Sequence, residues 1–276
     1  MEKATCDICP RKCEIEEGKL GFCRARTNRN GVVVCENYAR VTSMALDPIE
    51  KKPLRRFYPC SRILSVGSYG CNMNCAFCQN SEISMARAEY VEWKEIPPDE
   101  LVSRAEALRK DGNIGLAFTY NEPLIGYEYV LDCAKLAKQR DLRVVLVTNG
   151  MINSDPWMQL LPYVDAANID LKVFSREGYR QLGGDLDTVQ EAISIAAERI
   201  HVEVTTLIVP GLNDDEAMLR REAEWLAGES KEIALHLSRF FPRYHMLGAL
   251  PTEPGTIFRF ARVAREYLPY VYEGNL

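Results

Sequence analysis

Cys71, Cys75 and Cys78 stand in the segment GSYGCNMNCAFCQN with C-x3-C-x2-C spacing. Thiolates are the usual ligands of iron–sulfur clusters. Three on one short loop can hold three corners of a cubane and leave the fourth iron open to a chelating small molecule. The competing reading is structural zinc. Zinc takes four closed ligands, commonly in C-x2-C pairs, and a three-cysteine run suits it poorly. A second group, Cys6, Cys9, Cys13 and Cys23, follows C-x2-C-x3-C-x9-C, with Pro10, Gly18 and Gly21 supplying turns. Four thiolates close a metal site, and both zinc and a second iron–sulfur cluster fit the count; unliganded thiols are the third reading. A small loop-rich segment needs a staple, which tilts the choice toward zinc. Cys35 and Cys60 are spare, and either could replace one of the four. Cys133 falls in a predicted helix and reads as a core residue.

The elements that position these groups follow from periodicity. Short apolar, β-branched runs predict strands at 62–67, 115–119, 143–148, 166–171, 201–209 and 233–238. Runs of this kind suit strands buried on both faces. Helices are predicted near 97–111, 125–139, 155–161, 186–198, 214–227 and 255–267. Six alternating units imply a parallel sheet with right-handed crossovers, and function then gathers in the loops after the strands. The cluster loop is one of these. Asn121 and Glu122, Thr148 and Asn149, and Asp170 and Lys172 lie at other strand ends. Each has a plainer reading as turn residues or a structural ion pair. His236 alternates with Leu235 and Leu237 and points inward, to a ligand or as a satisfied core histidine. Arg239, Arg243 and Tyr244 default to a solvated loop. Glu203, Thr205 and Thr206 lie on a strand of which one face lines the interior.

Composition bounds the rest. The 276 residues are 47% hydrophobic with a formal net charge of -5, enough for one large core and no nucleic-acid footprint. Lys51, Lys52, Arg55 and Arg56 are the nearest thing to a basic block and read as a solvated turn. No apolar run is long enough to span a membrane, and MEKATCDIC has no secretory apolar core. The expected location is cytoplasmic. Nine of the 10 cysteines precede residue 80, which favours metal binding over a spread of disulfides. Residues 1–60 read as a small cysteine-rich module with a lead-in, and 61–276 as the α/β body.

The C-x3-C-x-aromatic-C pattern, with Phe77 as the aromatic, resembles the signature of the radical S-adenosylmethionine superfamily. TYNEP (119–123), LVTNG (146–150), NIDLK (168–172) and VPG-x-ND (209–214) resemble segments of pyruvate formate-lyase activating enzymes. DPIEKKPL (47–54), the N-terminal cysteine pattern and VYEGN (271–275) are similar to the radical enzymes of the AmmeMemoRadiSam group. The resemblance covers nearly the whole chain. It implies a partial (βα)6 TIM-like barrel, a [4Fe–4S] cluster on Cys71, Cys75 and Cys78, and S-adenosylmethionine on the open iron. It also implies an electron donor such as ferredoxin or flavodoxin. Phe77, Asn121, Glu122, Thr148, Asn149, Asp170, Lys172 and His236 become the expected cofactor contacts, with Glu122 or Asn121 accepting from the methionyl ammonium and Lys172 meeting its carboxylate. Activases commonly carry an Asp where this chain has Val147, so a monovalent-cation site built that way is not expected. The substrate is a small molecule or protein residue; one alternative is a glycine in a partner enzyme. A non-catalytic zinc or redox-sensing module is the alternative of another class.

Overall fold

The computed structural model describes residues 3–276. One sheet contains β1 (Ser43–Pro48), β2 (Arg62–Gly67), β3 (Asn113–Phe118), β4 (Arg143–Thr148), β5 (Ala166–Asp170), β6 (His201–Ile208), β7 (Ala234–Arg239) and β8 (Val271–Gly274). The strands lie in chain order across the sheet, with β1 and β8 at its two open edges. All neighbours are parallel except β1, which runs antiparallel to β2. The architecture is a partial TIM-like barrel. All six predicted strands are present, and β1 and β8 extend them. Both additions are edge strands, where half-burial weakens the apolar signal, and β1 also carries Pro48. β1 places the start of the sheet inside the lead-in before residue 60.

Helices α1 (Pro98–Ala107), α2 (Tyr127–Gln139), α3 (Ser154–Leu160), α4 (Arg176–Gln181), α5 (Leu186–Ala197), α6 (Glu216–Glu229) and α7 (Pro254–Ala264) complete the alternation. Their starts are chemically marked. Pro98 opens α1 with Asp99 and Glu100 in its first turn. Asp185 accepts from the Thr188 N–H at 2.9 Å, and Asp215 from the Ala217 N–H at 3.0 Å. The main core includes Leu64, Val66, Leu116 and Leu146 from the strands and Leu101, Val130, Trp157 and Ile193 from the helices. Gly115 is required where β3 meets β4, because a Cβ there would lie 1.8 Å from the Arg143 carbonyl oxygen.

The inner face of the sheet is closed at its N-terminal end by residues 49–57. Ile49, Leu54 and Phe57 pack on Ile63, Ala117, Val145 and Ala166. The Arg55 and Arg56 N–H groups donate to Glu203 at 3.0 and 2.8 Å. This corrects the reading of the basic cluster as a solvated turn. Lys51 stays exposed, but the helical turn Ile49–Lys51 carries Lys52 inward to 3% exposure. There its ammonium donates to Asp47 at 2.9 Å and lies 4.7 Å from the Tyr120 ring. A buried ammonium is tolerable only with such partners.

Two short hairpins, Lys3–Thr5 with Glu14–Glu16 and Arg26–Arg29 with Val32–Cys35, build the N-terminal segment. Arg26 ties it to α2 through Glu128, at 2.6 and 2.8 Å. Among the described residues no helix is long and apolar enough to cross a membrane.

Candidate metal centre and cofactor pocket

The loop after β2 is pinned along its length by other segments. The Ser68 N–H donates to Asn121 Oδ1 at 2.9 Å, and Asn121 Nδ2 returns to the Gly70 carbonyl at 3.1 Å. Asn37 Nδ2 donates to the Tyr69 carbonyl at 3.0 Å, and Asn72 Nδ2 to the Met151 carbonyl at 2.7 Å. The Asn74 N–H reaches Leu182, Asn80 Nδ2 reaches Tyr120, and the His245 N–H reaches Ala76, at 2.9, 2.7 and 3.0 Å. A loop held from so many sides is preorganised, as a metal centre requires.

Cys71, Cys75 and Cys78 are all free thiols on this loop. Cys71 Sγ accepts from the Met73 N–H at 3.4 Å and from Asn149 Nδ2 at 3.6 Å. Burial, then the Glu122 carboxylate, pushes the Cys71 thiol up. Burial pushes Cys75 up to about 11 against the opposing field of Lys172. Buried thiols of this kind await a cation before they ionise. Three sulfurs on one loop, with N–H donors at Cys71 and an ammonium in the field of Cys75, suit an anionic iron–sulfur cluster.

Glu122 is buried, and both its oxygens are engaged. Oε1 accepts from Thr148 Oγ1 at 2.7 Å and the Leu124 N–H at 3.0 Å, and Oε2 from the Asn149 N–H at 2.8 Å. Burial raises its carboxyl to about 7 despite these donors. Asn121, Glu122, Thr148 and Asn149 are thus brought together with Cys71, but as a brace between the ends of β3 and β4. Asp170 and Lys172 form an ion pair, Nζ to Oδ2 at 2.9 Å. Although burial opposes the charge, Asp170 and then the Cys75 field hold the Lys172 ammonium protonated. Phe77 is buried in the main core.

His236 does not join this group. Its Nε2 meets Glu203 Oε2 at 2.6 Å, and its ring stacks on Tyr272 with centroids 5.3 Å apart. Glu203 also contacts His201 Nε2 at 2.9 Å. Burial pushes the Glu203 carboxyl up, but His201, His236 and the two arginine N–H groups outweigh it and hold it at about 2. The satisfied-core alternative describes His236 better than the cofactor role. Among the loop residues, Arg239 donates through Nε to the Thr252 carbonyl at 2.5 Å.

The N-terminal cysteines share one cavity. Cys6, Cys9, Cys13 and Cys23 line it with Arg11, Arg26 and Ile125. Cys35 donates to Asn37 at 3.1 Å, Cys60 is exposed, and Cys133 is buried in α2. Arg11, Asn37, Asn72 and Asn80 are site residues that sequence reasoning missed. The only signal for Asn72 was its place next to Cys71, where an asparagine reads as a turn former.

The Radical SAM superfamily model matches residues 65–223, more than half of the chain. An uncharacterized protein of Methanocaldococcus jannaschii is 39% identical over 277 residues, covering 99% of this chain and 82% of its own length. Pyruvate formate-lyase 1-activating enzyme of Escherichia coli is 27% identical over 188 residues, covering 65% of this chain and 72% of its own. The crystal structure of QueE from Escherichia coli aligns with a TM-score of 0.55 at 14% identity, over 85% of this chain and 93% of that one. That alignment supports the fold. With the cysteine loop at the end of the first parallel barrel strand and a family match that spans it, the chain belongs to the radical SAM superfamily, whose enzymes use a [4Fe–4S] cluster and S-adenosylmethionine.

Proposed function

We propose that Cys71, Cys75 and Cys78 hold the catalytic [4Fe–4S] cluster and that S-adenosylmethionine binds beside it at the C-terminal mouth of the barrel. The observation that carries this is the braced three-thiol loop, with Asn149 at Cys71 and the Lys172 ammonium in the field of Cys75. When bound, the cluster and S-adenosylmethionine supply reductive cleavage to methionine and a 5′-deoxyadenosyl radical that abstracts hydrogen. Lys172 would meet the cofactor carboxylate, and Asp170, half of the same ion pair, would orient it or accept from the ammonium. Asn121, Glu122, Thr148 and Asn149 act as positioning residues. Hydrogen-atom abstraction asks for placement of substrate and needs no titrating base.

Residues 49–57 fill the opposite end of the barrel, so substrate would enter from the cluster side. The likeness to the AmmeMemoRadiSam enzymes favours a small molecule or a residue handled by a dedicated pathway. The similarity to pyruvate formate-lyase activating enzymes supports the second reading, a glycine in a partner protein. The electron donor would be a ferredoxin or flavodoxin, and the working compartment the cytoplasm. The functional division follows the cysteines: residues 1–60 carry the four-cysteine site and its lead-in, and 61–276 the catalytic barrel.

The test is electron paramagnetic resonance of the reconstituted, dithionite-reduced protein with and without S-adenosylmethionine. The expected result is a cluster signal that shifts on addition and is absent from Cys75→Ala. A cluster signal that survives Cys75→Ala and ignores S-adenosylmethionine would overturn the assignment.

A further inference from the structure

We propose that Cys6, Cys9, Cys13 and Cys23 hold a second iron–sulfur cluster, closed by four thiolates, that passes electrons to the cluster on the Cys71 loop. The relay rests on the catalytic reading above. The site itself rests on two observations.

The four cysteines line one cavity, although the last is separated from the first by most of a hairpin. Their spacing places three thiols within eight residues, as the catalytic loop does with the two gaps reversed. Cys23 adds the fourth ligand that the catalytic loop lacks. A site closed in this way has no open iron for a substrate and is suited to carrying charge.

Four thiols suit either a zinc ion or a cluster. The position of the site against the catalytic loop favours iron–sulfur, because zinc carries no electron.

Arg26 also lines the cavity and is 4% exposed. Its two terminal nitrogens are engaged by Glu128 and the Ile125 carbonyl, but its buried Nε has no hydrogen-bond partner. A buried guanidinium N–H without an acceptor costs free energy unless something accepts from it. Metal-bound thiolates and the inorganic sulfides of a cluster are such acceptors, so the orphaned N–H points to an anionic sulfur centre in this cavity.

The location supplies the role. Asn72, the neighbour of Cys71, lies beside Cys9. Arg11 Nε donates to the Asn72 carbonyl at 2.7 Å. A Cβ on Gly70 would lie 2.4 Å from the Cys23 carbonyl oxygen, so the two cysteine loops touch through backbone. Each transfer is one electron: a low-potential donor of the ferredoxin or flavodoxin class reduces the N-terminal cluster, which is reoxidised by the catalytic one.

The experiment uses the full chain, reconstituted anaerobically with iron and sulfide in the presence of zinc. Wild type should carry about eight irons, and both the Cys71/Cys75/Cys78→Ala and the Cys6/Cys9/Cys13→Ser variants about four, as two four-iron clusters require. The signal left in the first variant should ignore S-adenosylmethionine, and that in the second should respond. Arg26→Gln should keep both clusters and move only the first variant's signal to a more negative midpoint potential. Reduced flavodoxin should reduce the catalytic cluster of the Cys6/Cys9/Cys13→Ser variant about tenfold more slowly than that of wild type, a barrier difference of about 1.4 kcal/mol. Stoichiometric zinc and no iron in the first variant would overturn the second cluster and leave the catalytic reading intact. Two clusters with an unchanged reduction rate would overturn the relay. Loss of all iron from the second variant, with its fold retained by circular dichroism, would instead overturn the catalytic reading.

Discussion

Asn149 Nδ2 has two partners, Cys71 Sγ at 3.6 Å and Asn72 Oδ1 at 2.9 Å. An N–H aimed at a ligating sulfur stabilises the more reduced, more anionic cluster. Asn149→Ala should therefore keep its iron and show a more negative midpoint potential; an unchanged potential in a redox titration would rule out this role. Lys172→Met removes the ammonium beside Cys75. It should weaken S-adenosylmethionine binding at least about tenfold with the cluster retained, read by titrating the signal shift. Glu222 lies outside this chemistry, fully buried in α6 with its carboxylate accepting from Thr206. Burial raises its carboxyl from 4.5 to about 8 although the Thr206 hydrogen bond opposes the shift. The folded state holds this proton more tightly than the unfolded chain does. The stability contribution is therefore present at low pH and lost as pH rises from 4.5 toward about 8. Glu222→Gln should remove that slope and raise stability near pH 9 by a few kcal/mol, measured by urea unfolding of the apoprotein. A slope unaltered in the variant would contradict it. At this scale the cysteine loop was legible as a candidate because three thiols at C-x3-C-x2-C spacing stand out in a sequence. Asn37, Asn72 and Asn80 were not, because a bracing asparagine and a turn asparagine look alike in sequence. His236 stayed open between two readings for a related reason: alternation shows that a side chain points inward, and the partner found there, Glu203, comes from another strand.

Between elements, two close approaches set what the backbone tolerates. Gly115→Ala would drive a methyl group into the Arg143 carbonyl and force β3 from β4. We expect a loss of at least about 2 kcal/mol, seen as a lower urea midpoint. Gly70 has φ +86 and faces the Cys23 carbonyl. Gly70→Ala should separate the two cysteine loops and lower iron content while the far-UV circular dichroism is kept; full iron loading would contradict this. The central strands and all the long helices were legible because buried parallel strands and amphipathic helices write their periods plainly. β1 and β8 were not, since an edge strand needs apolar residues on fewer sides. The hairpins of the N-terminal segment are too short to show a period.

For the whole molecule, the inward turn of Lys52 and the packing of Leu54 and Phe57 seal one end of the barrel, and the cysteine loops occupy the region of the other. The N-terminal segment is held to the barrel through Arg26 and Glu128 and by backbone contact with the cluster loop. The proposed N-terminal metal site and the catalytic loop are therefore expected to be lost or kept together under mild denaturant. The family was legible in one loop and the order of several short motifs; the joining of the two cysteine groups needed the fold. The central claim is tested most directly by incubating the anaerobically reconstituted protein with S-adenosylmethionine and dithionite and measuring 5′-deoxyadenosine by mass spectrometry. The account predicts 5′-deoxyadenosine from wild type and none from Cys75→Ala. Equal production by the two proteins, or none from a wild type whose cluster signal responds to S-adenosylmethionine, would contradict it.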